Sequence, residues 1–108
     1  MKFIVDLTLR AERDAAEISN WIAERSPAGA ARWLEALDGA LARLSVSPHS
    51  FSLADEAGAF AEPLRQVFFR TPKGRDYRVV FMIDELHVRV LCVRGPGQAP
   101  IEANDFEE

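Results

Sequence analysis

The chain has 108 residues, 48% hydrophobic and 28% charged, with a formal net charge of −4 and one cysteine. This is the length and composition of a single globular domain, and no apolar run approaches the ~18 residues that a membrane-spanning helix needs. The opening MKFIVDLT lacks the apolar core and cleavage site of a secretory signal, and the lone Cys92 excludes an internal disulfide and argues against structural zinc, so a cytoplasmic protein is expected.

Phe3, Val5 and Leu7 alternate with Lys2, Ile4 and Asp6, the period of a short strand. Thr8 is placed to cap a helix in which Ala11, Ala15, Ile18, Trp21 and Ile22 recur at helical spacing. Ser26-Pro27 then restarts the chain, serine as N-cap and proline at the first helical position. A second apolar stripe follows: Ala30, Trp33, Leu34, Leu37, Leu41 and Leu44. The junction is too short for anything but a helical hairpin, so Trp21 and Trp33 are expected to pack between the helices or onto a sheet. Residues 47–62 (SPHSFSLADEAGAFAE) read as an irregular connection, with Asp55 and Glu56 solvated.

From Leu64 to Gly97 the chain reads as three consecutive strands. Asp84-Glu85 is a polar break between Tyr77–Ile83 and Leu86–Val93, which predicts a hairpin. Pairing Ile83 with Leu86 sets Phe81 against Val88, Val79 against Val90 and Tyr77 against Cys92, an apolar face for the core. The opposite face then carries Arg78, Val80 and Met82 against His87, Arg89, Leu91 and Val93. The fold class is α+β: an N-terminal strand, a helical hairpin and a three-stranded antiparallel meander, one domain over 1–108 with a short acidic tail from about residue 98.

Charge is distributed unevenly. Residues 1–61 carry a net −3, residues 65–97 a net +4, and the tail from Gln98 a net −4. The positive charge lies on the predicted sheet, where it can attract an acidic protein segment or a phosphate backbone. Arg65, Arg78, Arg89, Arg94 and His87 are therefore the candidate partner- or target-binding residues. Common catalytic patterns are not visible. Gly95 and Gly97 fit no nucleotide fingerprint, His49 and His87 have no neighbour at metal-ligand spacing, and Cys92 has no base partner. No cofactor or metal is expected. Arginines alone could still stabilise phosphate charge in a ribonuclease, in which case Arg78 is the catalytic candidate.

The chain resembles the RelE/ParE family of toxins from type II toxin–antitoxin systems, often labelled plasmid stabilisation proteins. The resemblance rests on VDLTLRAERDAAEISNWIAERSPAGAARWLEAL with its Ala11 and Asp14, on Ser26-Pro27 and Ala30, on SVSPHSF, on Leu64-Arg65, on Tyr77-Arg78-Val79-Val80-Phe81, and on the strand Val88–Val93. It spans roughly residues 3–97 and implies a small antiparallel sheet flanked by the helical hairpin, with a concave face opposite. It also implies growth arrest and a cognate antitoxin partner. RelE-like members cleave mRNA on the ribosome, using basic residues on the concave face and a general acid or base near the C-terminus. ParE-like members poison DNA gyrase through protein contacts. Here Arg78 matches the arginine of the YR strand, but Gln66 and Phe68 stand where the nucleases tend to place lysines, and no tyrosine follows Tyr77. Gyrase inhibition without catalysis is therefore the leading expectation. A ribosome-dependent endoribonuclease and an inactive antitoxin-binding module are the alternatives.

Overall fold

In the computed structural model, residues 2–54, 63–72 and 74–96 are described. Strand β1 (Ile4–Leu7) leads into helices α1 (Leu9–Ala23) and α2 (Pro27–Val46), a single 3-10 turn (Pro48–Ser50), and strands β2 (Arg65–Phe69), β3 (Tyr77–Asp84) and β4 (His87–Arg94). This is the expected α+β order. The strands form one sheet in the order β1-β4-β3-β2. The meander β2–β3–β4 is antiparallel, but β1 joins β4 in parallel, so the sheet is mixed rather than wholly antiparallel. Parallel neighbours need a long crossover, and everything from α1 to β3 supplies it.

Local chemistry sets the helix starts. The Thr8 hydroxyl oxygen accepts from the Ala11 amide at 3.1 Å, capping α1, and its proton goes to the Leu91 carbonyl at 3.0 Å. Its own amide donates to the Val90 carbonyl at 3.0 Å. One residue thus caps the helix and ties it to β4 just where β1 ends. Thr8→Ala removes both side-chain bonds and is expected to cost about 1–2 kcal/mol in urea denaturation. A loss below about 0.3 kcal/mol would mean that neither bond contributes. Ser26 caps α2 through a 2.9 Å bond from the Gly29 amide, with Pro27 in the first turn. Gly39 lies in the interior of α2, and an added Cβ there would meet nothing within 4 Å. Gly39→Ala should therefore stabilise the protein by about 0.5–1 kcal/mol, seen as a higher denaturation midpoint.

The main core lies between the helices and one sheet face. Ala11, Trp33, Leu37, Ala40 and Leu44 pack on Val67, Phe69, Val79, Phe81, Val88, Val90 and Val93. Trp33 sits against Phe69 and Tyr77, with ring centroids 5.6 and 5.5 Å away. Trp21 does not share this packing: it is 55% exposed, with the Arg25 guanidinium 4.0 Å from its ring centre.

The hairpin register differs from the alternation reading in two ways. The turn is Glu85-Leu86, with Glu85 at φ 54 in the left-handed region, so Ile83 faces Val88 and Phe81 faces Val90. A two-residue displacement keeps every side chain on its face, which is why alternation could not exclude it. Further along, Phe81 pairs with Val90 but Val80 with Cys92, leaving Leu91 as the extra residue of a β-bulge. One inserted residue exchanges the faces beyond it. Val93 therefore enters the helix-side core opposite Val79. Cys92 joins Val80 on the other face, where Ala54 and Leu64 cover them both. Neither the placing of Cys92 opposite Tyr77 nor that of Val93 on the open face holds. That second face is accordingly not fully open: its middle is covered by Ala54 and Leu64.

Candidate target-binding face

Register places Arg78, Arg94, Arg89 and His87 in rows across the face that the helices do not cover, and sets Arg65 opposite Phe81 on the helix side instead. At one end, Phe68 of β2, Arg78 of β3 and Arg94 of β4 are direct cross-strand neighbours. The adjacent row is Gln66, Val80 and Cys92. Beyond the bulged Leu91 come Met82, Arg89 and Asp6, and then Asp84, His87 and Ile4.

The candidates thus divide into separate groups. Arg78 and Arg94 stand together. Arg89 lies five residues further along β4, roughly 15 Å at the rise of an extended strand. Its end of the face is mixed in charge: Asp6 pairs with Arg89 in the strand register and also contacts His87, at 3.3 Å between Nδ1 and the carboxylate. Arg65 serves the fold. Its guanidinium donates to the carbonyls of Phe51 at 2.6 Å and His49 at 3.4 Å, tying the 3-10 turn to the start of β2.

The Arg78–Arg94 end is a built feature. The Arg78 guanidinium donates to Gln66 Oε1 at 3.1 Å, and Gln66 is 7% exposed, so a nearly buried amide fixes how the arginine is presented. Like charges directly opposite one another in a sheet repel, so the pair favours an anionic partner. Phe68, 52% exposed, adds apolar surface in the same row. Arg10 and Asp14 of α1 also lie within electrostatic reach of Cys92, together with Arg78 and Arg94. Asp14 is engaged twice, by Arg10 Nε at 3.0 Å and by the Val93 amide at 3.1 Å. Its carboxylate takes the ladder position that β1 is too short to fill. Neither Arg10 nor the role of Asp14 could be read from helical periodicity, because both depend on α1 lying along the edge of β4.

Cys92 is chemically quiet. Burial, and then the neighbouring Asp14 carboxylate, push its thiol up to about 12 from an ordinary 9.0, with the three arginines opposing. A thiol raised in the folded state contributes stability that is complete below its unfolded pKa. Between pH 9 and 12 the unfolded thiol ionises while the folded one does not, so that contribution falls as pH rises. We expect no labelling of the native protein by iodoacetamide at pH 8 and rapid labelling in urea. Native-state labelling at the unfolded rate would show that Cys92 is reached without unfolding.

Among the described residues, no helix is long and apolar enough to cross a membrane. Comparison with known proteins locates this architecture. One solved structure, the toxin–antitoxin complex RelBE2 from Mycobacterium tuberculosis, contains a chain that is 23% identical with a TM-score of 0.50. The match covers 88% of this chain and 99% of that one, and the likeness is one of fold. No curated protein matches. Residues 5–100 match the family model described as the ParE toxin of type II toxin–antitoxin system, parDE. With nearly its whole length matched, the chain belongs to the ParE toxin family of type II toxin–antitoxin systems.

Proposed function

We propose that this toxin inhibits DNA gyrase by protein contact, with the row of Arg78, Arg94 and Phe68 as the centre of its docking face, and that a cognate antitoxin neutralises it. The observation that carries the reading is the composition of that row: two opposed arginines, one oriented by Gln66, beside an exposed phenylalanine. Arginine and aromatic residues dominate the binding energy of protein interfaces. The Arg78–Arg94 end of the face also offers little for bond cleavage among its described residues. A ribonuclease needs a group to take and return a proton near neutral pH. Beside the arginines stand a thiol pushed to about 12 and an aspartate held by Arg10 and a backbone amide. Binding without catalysis is also the mode of the ParE-like branch that the sequence resembles. Unneutralised, the toxin arrests growth in the cytoplasm; genetically linked to its antitoxin, it stabilises the plasmid or locus that carries both.

The test is induced expression of the chain alone in bacteria, with DNA breaks and mRNA 5′ ends mapped in the same cultures. Double-strand breaks with intact mRNA are expected, together with inhibition of purified gyrase in a supercoiling assay. Translation-dependent mRNA cuts without DNA damage would replace this mechanism with the endoribonuclease alternative.

A further inference from the structure

The described residues end at Pro96, just past the last residue of β4, and the acidic tail expected from about residue 98 lies outside them. Residues 97–108 read GQAPIEANDFEE: four acids (Glu102, Asp105, Glu107 and Glu108), no lysine or arginine, and two large apolar side chains, Ile101 and Phe106. The chain leaves the sheet through Gly95-Pro96-Gly97, a turn-forming sequence, and Pro96 already lies in a turn. The tail therefore starts beside Arg94, the β4 member of the arginine row.

The row offers what the tail can use. Arg94, Arg78 and Phe68 lie side by side on β4, β3 and β2. At a strand spacing of about 4.8 Å, the row is only about 10 Å long. Outward from β4 its order is cation, cation, apolar ring. Along the tail the order is carboxylate, carboxylate, apolar ring: Glu102, Asp105, Phe106. Arg70 follows Phe68 by two residues and is exposed, with Asp76 3.9 Å away, as Glu107 and Glu108 follow Phe106. Glu102 stands eight residues past Arg94, enough chain to span about 26 Å when extended, so it returns to the row without strain. Two arginines opposed across a ladder repel each other, and a carboxylate beside them relieves that repulsion. A tethered segment meets the row at an effective concentration of about millimolar, so each contact need only be weak.

We infer that residues 101–108 are an intramolecular ligand of the row Arg94, Arg78 and Phe68, which a target protein must displace in order to dock. The competition rests on the docking reading above; the contact between tail and row does not. A row covered four-fifths of the time binds its target about fivefold more weakly than a bare one. The chain thus carries a partial brake on its own docking face, released when a partner of higher affinity arrives.

The contact is tested on the full chain with a nitroxide spin label at Ala103→Cys; Cys92 is buried, so a maleimide reagent attaches at one position. The amide resonances of Phe68, Arg78 and Arg94 are expected to broaden, while those of Asp84 and His87, at the other end of the face, stay sharp. Neutralising the tail with Glu102→Gln, Asp105→Asn, Glu107→Gln and Glu108→Gln in the same labelled chain should restore the lost signal. No broadening of the row would overturn the inference and leave the gyrase reading untouched. Broadening that persists when labelled, isotope-free protein is mixed with unlabelled ¹⁵N protein would mean that tails exchange between copies, which overturns the intramolecular contact. The competition is read in the supercoiling assay, where the unlabelled tail-neutralised chain should inhibit gyrase at about one-fifth of the wild-type concentration. Equal or weaker inhibition by that variant would overturn the brake. If neither protein inhibits gyrase, the docking reading fails, and the resonance data alone decide the contact.

Discussion

Phe81→Ala is expected to lose about 3–5 kcal/mol of stability, the range for truncating a buried aromatic side chain. Phe81 is fully buried in β3, an inner strand of the sheet, between Arg65 of β2 and Val90 of β4. It meets Phe51 edge-on at 6.3 Å and contributes to the core under α1 and α2. Two features prevent the structure from closing over the gap. The adjacent bulge fixes the strand register, and Arg65, paired with Phe81, is committed to the carbonyls of Phe51 and His49. A cavity that cannot collapse adds its own cost to the lost transfer energy. Domains of this size have only about 5–15 kcal/mol in total, so the variant should express poorly or unfold at low denaturant. Urea unfolding followed by far-ultraviolet circular dichroism measures it. A loss below about 1 kcal/mol would mean that the core is centred elsewhere.

Arg78→Ala should reduce growth arrest at least tenfold while leaving a folded protein. The variant removes half of the paired charge in the proposed docking row and leaves Gln66 without its guanidinium donor. The second effect sets the stability cost. An almost buried amide losing one bond is worth about 1 kcal/mol, or a melting shift of about 4–8 °C in a domain of this length. Arg78→Lys retains the charge but not the planar fork, so partial activity is expected from it. Survival assays after induction, paired with melting curves, separate loss of contact from loss of fold. Full toxicity in a folded Arg78→Ala protein would move the docking face away from this row.

The elements themselves were readable because their signals are local. Thr8 and Ser26-Pro27 each place a side-chain acceptor or a constrained φ within three residues of the helix they start, and both helices begin there. The strands likewise follow from short apolar alternations: β3 and β4 have ends displaced by one residue, and β1 starts two residues after the alternation at Lys2. The family resemblance on the same residues agrees with the matched span 5–100.

What alternation could not carry was everything that depends on which residue lies across the sheet. Registers two residues apart present the same faces, so the turn position was open by one residue and the hairpin pairing by two. The Leu91 bulge costs one residue and leaves no mark in composition, yet it brings Cys92 under Ala54 and Leu64 and sends Val93 into the core. Among the five residues chosen by charge, the tertiary fold gathers Arg78 and Arg94, sets Arg89 and His87 beside acids, and gives Arg65 to two backbone carbonyls. Trp21 and Trp33 shared one expectation and met opposite fates, because only Trp33 lies on the α2 stripe that faces Phe69 and Tyr77. Sequence by itself determined the order of elements, the helix starts and the family, since each is set by neighbours along the chain. The tertiary structure alone decided which arginines stand together on one face, since that follows from long-range pairing of β1, β3 and β4 that local physical chemistry does not encode.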